Sequence, residues 1–233
     1  MKVNKAFKIR IYPNKSQEVL LNKILGSCRF IYNNMLAERL RAYQELKDDK
    51  RALYEYRYKT EKEYKEEFEW LKEIDAVALQ QSRMDLSSAY QNFFNSLSGK
   101  RNGKSGFPKF HKKNRKNSYR TLNNNNIIRI DFNVHKIHLP KLGWIPFRDS
   151  RSFFPGKIKS ATISKTKTGK FFASVLFEQE KEVKQFNLEE ILERGLFVKG
   201  LDMSLEHFYV DDYGRSPEYT RLYRKNESRL AYL

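Results

Sequence analysis

The sequence has few of the residues and patterns that define several classes of protein. Its 233 residues include one cysteine, Cys28, which excludes an internal disulfide and a zinc site of paired cysteines, and fits a reducing, intracellular setting. No apolar run approaches the roughly 18–20 residues that span a bilayer, so no membrane partner is expected. The first residues alternate between polar and apolar and lack the apolar stretch of a secretory signal.

Acidic residues are also scarce relative to basic ones. Lys and Arg number 46 against 28 Asp and Glu, which gives a formal net charge of +18 and a pI of about 9.8. Such an excess points to a polyanionic partner. Aromatic residues make up 14% of the chain and lie in patterned segments, so we expect a folded protein rather than a disordered one.

The strongest local imbalance lies at Lys100–Arg120, the basic loop, which contains no Asp or Glu. Its cations are Lys100, Arg101, Lys104, Lys109, Lys112, Lys113, Arg115, Lys116 and Arg120. Phe107, Phe110 and Tyr119 lie among them, and cations that neutralise phosphates beside rings that stack on bases suit nucleic acid. Glycines and Pro108 indicate a loop. A solvated basic linker is the alternative, but a position between a helix and a β-rich block favours a binding element.

The amino-terminal part of the chain has a strand pattern followed by helical patterns. Lys2–Tyr12 alternates as a strand does. Asn14 followed by Gln17 predicts a capped helix start. Apolar residues then recur at three-and-four spacing over Lys15–Leu46, and Gly26 interrupts them, which predicts two helices or one bent helix.

Two further helical patterns precede the basic loop. Arg51–Trp70 has a thin apolar stripe and predicts a largely solvated helix lying over the others. Asp75 caps a stronger helix that ends at Gly99. Its apolar stripe, which includes Phe94 and Leu97, predicts core packing rather than a binding surface. Residues 15–97 thus form a helical unit.

The pattern changes to strands after the basic loop. The segments are Tyr119–Leu122, Ile127–Phe132, Lys136–Leu139, Ile158–Lys165 and Phe171–Phe177. Together with the first strand they could close a small barrel, with the helical unit inserted after that strand. The hairpin loop Lys165–Lys170 joins the last two. Asn123–Asn126 is either a plain turn, which is favoured, or a set of amides aimed at base edges.

Near the end of the chain, Phe197–Gly214 predicts strand, turn and strand, with Asp202 at the end of the first strand. Asp202 is either an ordinary turn residue or a catalytic carboxylate. Cleavage by two metal ions needs several converging carboxylates, and Asp211-Asp212-Tyr213-Gly214 has the pattern of a hairpin turn. The four histidines have no ligand spacing with Cys28.

Several ordered motifs resemble one known family. They are KAFKIRIYPNKSQ, LGSCRFIYNNMLAERLRAY, ALQQSRMDLSSAYQNFF, GFPKFHKKNRKNSYRT, NNNII, IHLPKLGW and VKGLDMSLEHFYV, and they cover essentially the whole chain. Together they resemble the amino-terminal half of TnpB, the transposon-encoded (OrfB-type) RNA-guided DNA endonuclease related to type V CRISPR effectors.

The resemblance implies an α+β fold with three parts. A wedge-type β-barrel would comprise residues 1–14 and 100–185, and an inserted helical recognition domain residues 15–99. Residues 196–233 would be the start of a RuvC (RNase H-like) nuclease domain, truncated here. This order matches the strand, helices and strands that the patterns alone predict.

The resemblance also implies partners, namely guide RNA and target double-stranded DNA bound beside a short motif. Gln80, Asn123 and Asn124 would read bases, since amides pair with adenine in the major groove. Lys109, Lys112, Lys113, Arg115, Lys116, Tyr119 and Arg120 would hold nucleic acid by charge, shape and stacking. The alternatives are a nuclease-dead RNA-guided binder or repressor and a general RNA-binding module. The setting would be prokaryotic cytoplasm, associated with the nucleoid.

For catalysis, the resemblance places Asp202 at the first RuvC aspartate, a ligand for Mg²⁺ in the complete nuclease. Gly200–Ser204 occupies the family motif, with Ser204 in place of its second glycine. The catalytic glutamate, the zinc ribbon and the last aspartate of the family come later than this chain extends. We therefore expect a missing carboxy-terminal half, no zinc site in this chain, and no nuclease activity of the chain alone.

Overall fold

A computed structural model describes residues 1–113, 117–149, 156–180, 200–203 and 209–216, with Glu189, Glu193 and Asn226. The chain divides into two compact units, Met1–Lys181 and Glu182–Leu233. No helix in the described part of the chain has the length and apolar character needed to cross a membrane.

The first unit begins with a strand and continues with helices. These are β1 Lys2–Ile11, α1 Lys15–Leu46, α2 Lys50–Glu55, α3 Glu61–Glu67, a 3₁₀ turn Glu69–Glu73 and α4 Ala76–Leu97. Strands follow: β2 Ser118–Leu122, β3 Arg129–Asp131, β4 Lys136–Leu139, β5 Gly143–Arg148, β6 Lys157–Lys165 and β7 Phe171–Glu180, with a second 3₁₀ turn at Asn124–Asn126. The second unit contains β8 Leu201–Asp202 and β9 Val210–Asp211. The fold class is α+β, as predicted.

The seven strands of the first unit form one antiparallel sheet in the order β2-β6-β7-β1-β5-β4-β3. Strand β1 pairs with β7 over its whole length, from Lys2↔Glu180 to Ile11↔Phe171, but with β5 only at its last two residues. The sheet therefore curls into a half-barrel. Strands β2 and β3 lie at its two edges and do not pair with each other among the described residues, so the sheet stays open.

Helix α1 starts with the predicted capping box. The Gln17 backbone N–H donates to Asn14 Oδ1 at 2.9 Å, and the Asn14 N–H donates to Gln17 Oε1 at 3.0 Å. Of the two predicted alternatives, two helices or one bent helix, the structure has a single helix that continues through Gly26 to Leu46. A single interior glycine costs about 1 kcal/mol relative to Ala, which the burial of neighbours such as Ile24 and Leu25 offsets.

The predicted helix Arg51–Trp70 is instead α2, α3 and a 3₁₀ turn. The break comes from a second capping box, in which Thr60 and Glu63 satisfy each other's backbone N–H groups and start a new helix. Tyr56 and Thr60 have extended backbone. The sequence shows the charged character of this region, but the prediction of one helix missed the capping box of Thr60 and Glu63.

Helix α4 is buried only in its first half, where its buried residues run from Ala78 to Leu86. Phe94 and Leu97 are 55% and 70% exposed, so their predicted place in the core is wrong. Their side chains continue the apolar stripe beyond the buried part of the helix.

Helices and sheet share one hydrophobic core. It joins residues of α1 and α4 such as Leu21 and Leu79 to strand residues such as Ile137 and Val175. At its border, the Thr121 hydroxyl donates to Asp75 Oδ2 at 2.6 Å, and both residues are buried. Strand β5 was not predicted, because Pro146 interrupts its alternation.

Candidate nucleic-acid interface

The described part of the basic loop packs against the helices through two of its rings, those of Phe107 and His111. The Phe107 ring packs edge-to-face with the rings of Tyr90 and Phe93, and its centroid lies 5.5 and 5.2 Å from theirs. The His111 ring stacks on Tyr32 of α1 with centroids 3.7 Å apart and an interplanar angle of 14°.

Hydrogen bonds fix the backbone of the same loop. Asn33 of α1 donates from Nδ2 to the His111 carbonyl at 3.1 Å, and its Oδ1 accepts from the His111 N–H at 2.8 Å. The Ser105 N–H donates to Ser96 Oγ at 2.9 Å, and Pro108 is buried. These contacts argue against a freely solvated linker, because the loop backbone is held at several points.

The anchored loop leaves its cations on the surface. Lys109, Lys112 and Lys113 are exposed, and no carboxylate among the described residues lies within ion-pair distance of them. Arg120 is also exposed, with Nη2 3.6 Å from Asp85 Oδ1. Arg115 and Lys116, the other two predicted contacts, lie outside the described residues. The arrangement presents positive charge with no acidic group built into the loop.

Tyr119 does not belong to this surface. It is 6% exposed and lies in the hydrophobic core on β2. Burial raises the pKa of its hydroxyl well above the ordinary value, and Cys28 and Asp75 add to the rise. Its ring therefore offers no face for base stacking, because strand alternation turns Tyr119 and Thr121 inward while Arg120 faces out. Phe110, 50% exposed, and Phe107, 42% exposed, are the phenylalanines of the loop with accessible ring surface.

The asparagine run divides into one structural residue and three exposed ones. Asn123 donates from Nδ2 to the Ile158 carbonyl at 3.1 Å and accepts at Oδ1 from the Ile128 N–H at 2.7 Å. Both ends of its amide are thus engaged in holding the turn. Asn124 to Asn126 are exposed. Asn125 and Asn126 have φ of 58° and 54°, the left-handed backbone that asparagine tolerates.

Gln80 and Asn124 each follow, a few residues along the chain, one partner of a buried hydrogen bond between Asp75 and Thr121. Asp75, the N-cap of α4, is bonded to Thr121 of β2 at 2.6 Å. Exposed Gln80 follows Asp75 by five residues of helix, and exposed Asn124 follows Thr121 by three residues. The buried contact therefore ties the start of α4 to β2, the two elements from which these exposed amides follow.

The second unit places the predicted catalytic residue on a short antiparallel ladder. Asp202 of β8 is opposite Val210 of β9 and is exposed. Buried Asp211 accepts from the Tyr213 and Arg215 N–H groups at 3.0 and 2.8 Å and pairs with Arg215 Nε at 3.1 Å. The predicted turn after Asp211 is confirmed by the Gly214 N–H, which donates to the Asp211 carbonyl at 2.9 Å.

The described residues do not assemble a metal centre. No group of three or more His, Cys, Asp or Glu side chains converges anywhere in the part of the chain that the structure describes. Asp211 is used by its turn, and Glu206 and Ser204 lie outside the described residues. Asp202 on its own does not fit the several oxygen ligands that Mg²⁺ needs.

Sequence reasoning missed a basic cleft of about 860 Å³ beside α1. Its wall includes Arg29 of α1, Lys113 of the basic loop, and Lys165 and Lys167 of the β6–β7 hairpin. These cations come from three segments that are more than 50 residues apart along the chain, so no local pattern joins the three segments. The exposed hairpin loop Lys165–Lys170 was the available signal.

Taken together, the structure shows a curled antiparallel sheet, a helical layer on its core and an anchored loop. Lys109, Lys112 and Lys113 of this loop have no carboxylate partner in the described part of the chain. These features define a basic α+β protein with a surface suited to a polyanion. Residues 1–48, which here form β1 and α1, match the family described as a helix-turn-helix domain of the OrfB IS605 type. With the similarity to the curated proteins below, this match means that the chain belongs to the TnpB/OrfB family.

Three curated proteins illustrate the relationship. The putative RNA-guided DNA endonuclease InsQ of Escherichia coli (strain K12) is 29% identical over 239 residues, covering 100% of this chain and 53% of InsQ. A putative RNA-guided DNA endonuclease of Streptomyces pristinaespiralis is 36% identical over 94 residues, 40% of this chain and 23% of that protein. The virulence protein VsdF of Salmonella dublin is 34% identical over 119 residues, 48% of this chain and 96% of VsdF. The chain thus spans about half the length of InsQ.

Proposed function

We propose that this chain is the nucleic-acid-binding part of a TnpB-like RNA-guided DNA endonuclease. It binds guide RNA and target double-stranded DNA beside a short motif. The observation that carries the proposal is the basic loop, whose backbone is held by Asn33 and His111 while Lys109, Lys112 and Lys113 face solvent without carboxylate partners among the described residues.

The proposal assigns a role to each part of the chain. Residues 1–14 and 100–185 serve as the wedge-type barrel domain, and residues 15–99 as the helical recognition domain. Gln80 and Asn124 read bases in the motif, since amide groups can pair with adenine in the major groove. Residues 196–233 form the start of a RuvC-like nuclease domain, and guide RNA and Mg²⁺ belong to the complete nuclease.

One observation favours a second candidate, an RNA-guided binder that does not cut. Asp202 is exposed, and no other acidic side chain joins it in a metal-binding group among the described residues. A chain of this kind would act by occupying DNA. Downstream coding sequence separates the two candidates, because paired Cys-x-x-Cys motifs and a second acidic motif would favour the nuclease.

The test is binding of the purified chain to RNA and to duplex DNA across a salt series, with sequencing of any RNA that co-purifies. If six to ten phosphates are contacted, affinity falls by about 10³–10⁵ between 50 and 200 mM salt. A co-purified RNA of one defined sequence would support guide binding. Weak binding with a flat salt dependence would contradict the proposed function.

A further inference from the structure

We propose that a nucleic-acid strand crosses helix α1 at Gly26, with phosphates in the basic cleft on one side of the helix and a base against Trp70 on the other. This inference rests on the proposed function and adds a binding site to it. The site is distinct from the exposed amides of Gln80 and Asn124 and from Asp202. Its ligand is defined chemically as a phosphodiester backbone with an adjacent base.

Among the described residues, no contact or backbone conformation requires glycine at position 26. It lies in the interior of a 32-residue helix, where glycine is less favourable than alanine. A Cβ built on it meets no atom within 4 Å, and its backbone does not have the positive φ that glycine permits. A bare backbone at this position is suited to the close approach of a ligand.

One side of Gly26 is the basic cleft. Arg29, one turn further along α1, is half-buried there, and no carboxylate among the described residues lies within ion-pair distance of it. A guanidinium that is partly removed from water is stable beside an anion, so its partner is expected from a ligand. Lys113 and Lys167 of the opposite wall are exposed and also lack a carboxylate partner in the described part of the chain.

Lys165, the remaining lysine of the cleft, is held in place by contacts within the protein. Lys165 Nζ donates to Asn22 Oδ1 of α1 at 2.8 Å and lies 5.2 Å from the centroid of the Phe171 ring. Neither partner is a carboxylate, so the positive charge of Lys165 is not neutralised by these contacts. None of the described residues that line this cleft is acidic, so the cleft carries uncompensated positive charge over a volume of about 860 Å³.

The other side of Gly26 is a second hollow of about 570 Å³. Gly26 and Arg29 line both hollows, so the helix surface at Gly26 forms a low saddle between them. Trp70 lines the second hollow and is 46% exposed. Phe30 packs edge-on against it with centroids 5.1 Å apart and holds the ring in place. An exposed, supported indole is suited to stack on a base.

The combination matches a strand rather than a free anion. Cations on one side neutralise phosphates, the saddle admits the sugar–phosphate backbone, and the aromatic ring on the far side takes a base. Single-stranded RNA and single-stranded DNA share this chemistry. The experiment therefore uses oligonucleotides of one sequence in both forms.

The first test is Gly26→Gln in the full chain, with Val19→Gln as the matched control. Val19 is 58% exposed on the same helix and does not line the cleft. Glutamine is a good helix former and the space around Gly26 is open, so the unfolding temperature should stay the same or rise. Affinity for the preferred oligonucleotide should fall at least about tenfold, because the side chain occupies the saddle. Val19→Gln should bind as the wild type does.

The second test removes charge and does not depend on the first variant. Arg29→Ala should weaken binding about four- to sixfold at 0.15 M salt and lower the salt slope by about 0.7–0.9, the effect of one lost phosphate contact. Arg41→Ala is the control, since Arg41 is exposed on the same helix and outside the cleft. It removes the same charge and should leave the slope unchanged.

The third test locates the base. An oligonucleotide that carries a photoreactive base should crosslink at Trp70, and mass spectrometry should find the adduct. A difference in affinity between RNA and DNA tells which strand occupies the site. Wild-type binding that is insensitive to Gly26→Gln and Arg29→Ala, yet weakened by charge removal in the basic loop, would overturn this inference alone. Absence of wild-type binding to either oligonucleotide would overturn the proposed function with it.

Discussion

Residues 50–73 and the basic loop are both densely charged, but their charges have different surroundings. In residues 50–73 four of the seven cations are paired with carboxylates of the same region. The pairs are Arg51–Glu55 at 3.1 Å, Arg57–Glu63 at 3.3 Å, Lys59–Glu67 at 2.9 Å and Lys72–Glu69 at 3.1 Å. Lys109, Lys112 and Lys113 of the loop have no such partner among the described residues. Both regions are dense in charge, and they differ in how many of their described cations are paired with carboxylates.

The difference has a physical consequence for binding. An exposed ion pair contributes only about 0–1 kcal/mol to stability, but it also occupies the cation, which a phosphate could then reach only by displacing the carboxylate. A cation without a partner can neutralise a phosphate and release counterions at no such cost. The basic loop should therefore carry the salt-dependent part of affinity, and residues 50–73 should not.

The largest expected effect is a direct test of this contrast. Replacing Lys112, Lys113, Arg115 and Lys116 by Ala should weaken nucleic-acid binding by about 10²–10³-fold at 0.15 M salt. The salt slope should fall by about 3–4, because four phosphate contacts are lost. Fluorescence anisotropy across a salt series measures both quantities.

The control removes the same four charges from the paired region. The variant with Arg51, Arg57, Lys59 and Lys72 replaced by Ala should keep the wild-type salt slope, with affinity lowered less than about tenfold through the weaker overall field. Equal losses in the two quadruple variants would show that net charge, and not pairing, decides where nucleic acid binds.

The second prediction concerns stability and contrasts a buried helix cap with an exposed one. Asp75→Ala removes the α4 cap, worth about 0.5–2 kcal/mol, and leaves the buried Thr121 hydroxyl without its partner, a further cost of about 1–3 kcal/mol. Asp49→Ala removes a cap from α2, a helix with no buried residue, and should cost less than about 1 kcal/mol. Urea denaturation measures both. Similar costs would mean that the contact between Asp75 and Thr121 contributes little.

The sequence was a good guide wherever one local pattern decides the structure. Period-two alternation gave β1, and the pairing of Asn14 with Gln17 gave the start of α1, because both depend on neighbouring residues. The order of the strands in the half-barrel was harder to predict from the sequence, because β1 pairs with β7 and β5, which lie far from it along the chain. Strand β5 was not predicted because it contains Pro146, and proline is uncommon inside strands.

The candidate site was predicted less completely than the fold. The basic loop was found because its cations are consecutive, but Tyr119 was assigned to it by proximity in sequence. Burial of Tyr119 depends on which face of β2 meets the core, and this is set by the pairing with β6. The cleft at Arg29 was missed because its cations come from three separate segments. Gly26 was interpreted as an interruption of the helical pattern, and its half-buried place between two hollows could not be predicted from the sequence.

The third prediction separates amides that face solvent from the one that is engaged. Gln80→Ala and Asn124→Ala should relax the preference among DNA target motifs by about 1–3 kcal/mol per lost base contact, with little change in salt slope. Asn123→Ala should instead lower stability, because it removes the bonds to Ile158 and Ile128. Competition binding against a randomised duplex library, with guide RNA present, measures the preference. Equal losses on all sequences would show that Gln80 and Asn124 support the fold or contact phosphate.

The smallest expected effect applies the same contrast to carboxylates. Asp211 is saturated by Tyr213 and Arg215, whereas exposed Asp202 has no hydrogen bond or ion pair among the described residues. Asp202→Ala should therefore change neither the free energy of unfolding nor nucleic-acid affinity by more than about 0.5 kcal/mol. Asp211→Ala should disrupt the turn between Asp211 and Arg215, because three hydrogen bonds end on its carboxylate.

If Asp202 stands at the position of the first RuvC aspartate, as we propose, its carboxylate can contribute one metal ligand. Two Mg²⁺ ions need further carboxylates that bridge and flank them, and Mg²⁺ keeps its water unless several hard oxygens are in place. We therefore expect no cleavage when the chain is incubated with guide RNA, matched target and Mg²⁺ or Mn²⁺. Cleavage that disappears in Asp202→Ala would contradict this and mean that nearby acids such as Glu206 complete the site. Adding the carboxy-terminal half of the family in trans should produce cutting that depends on Asp202, and cutting equal in Asp202→Ala would remove this residue from the catalytic site.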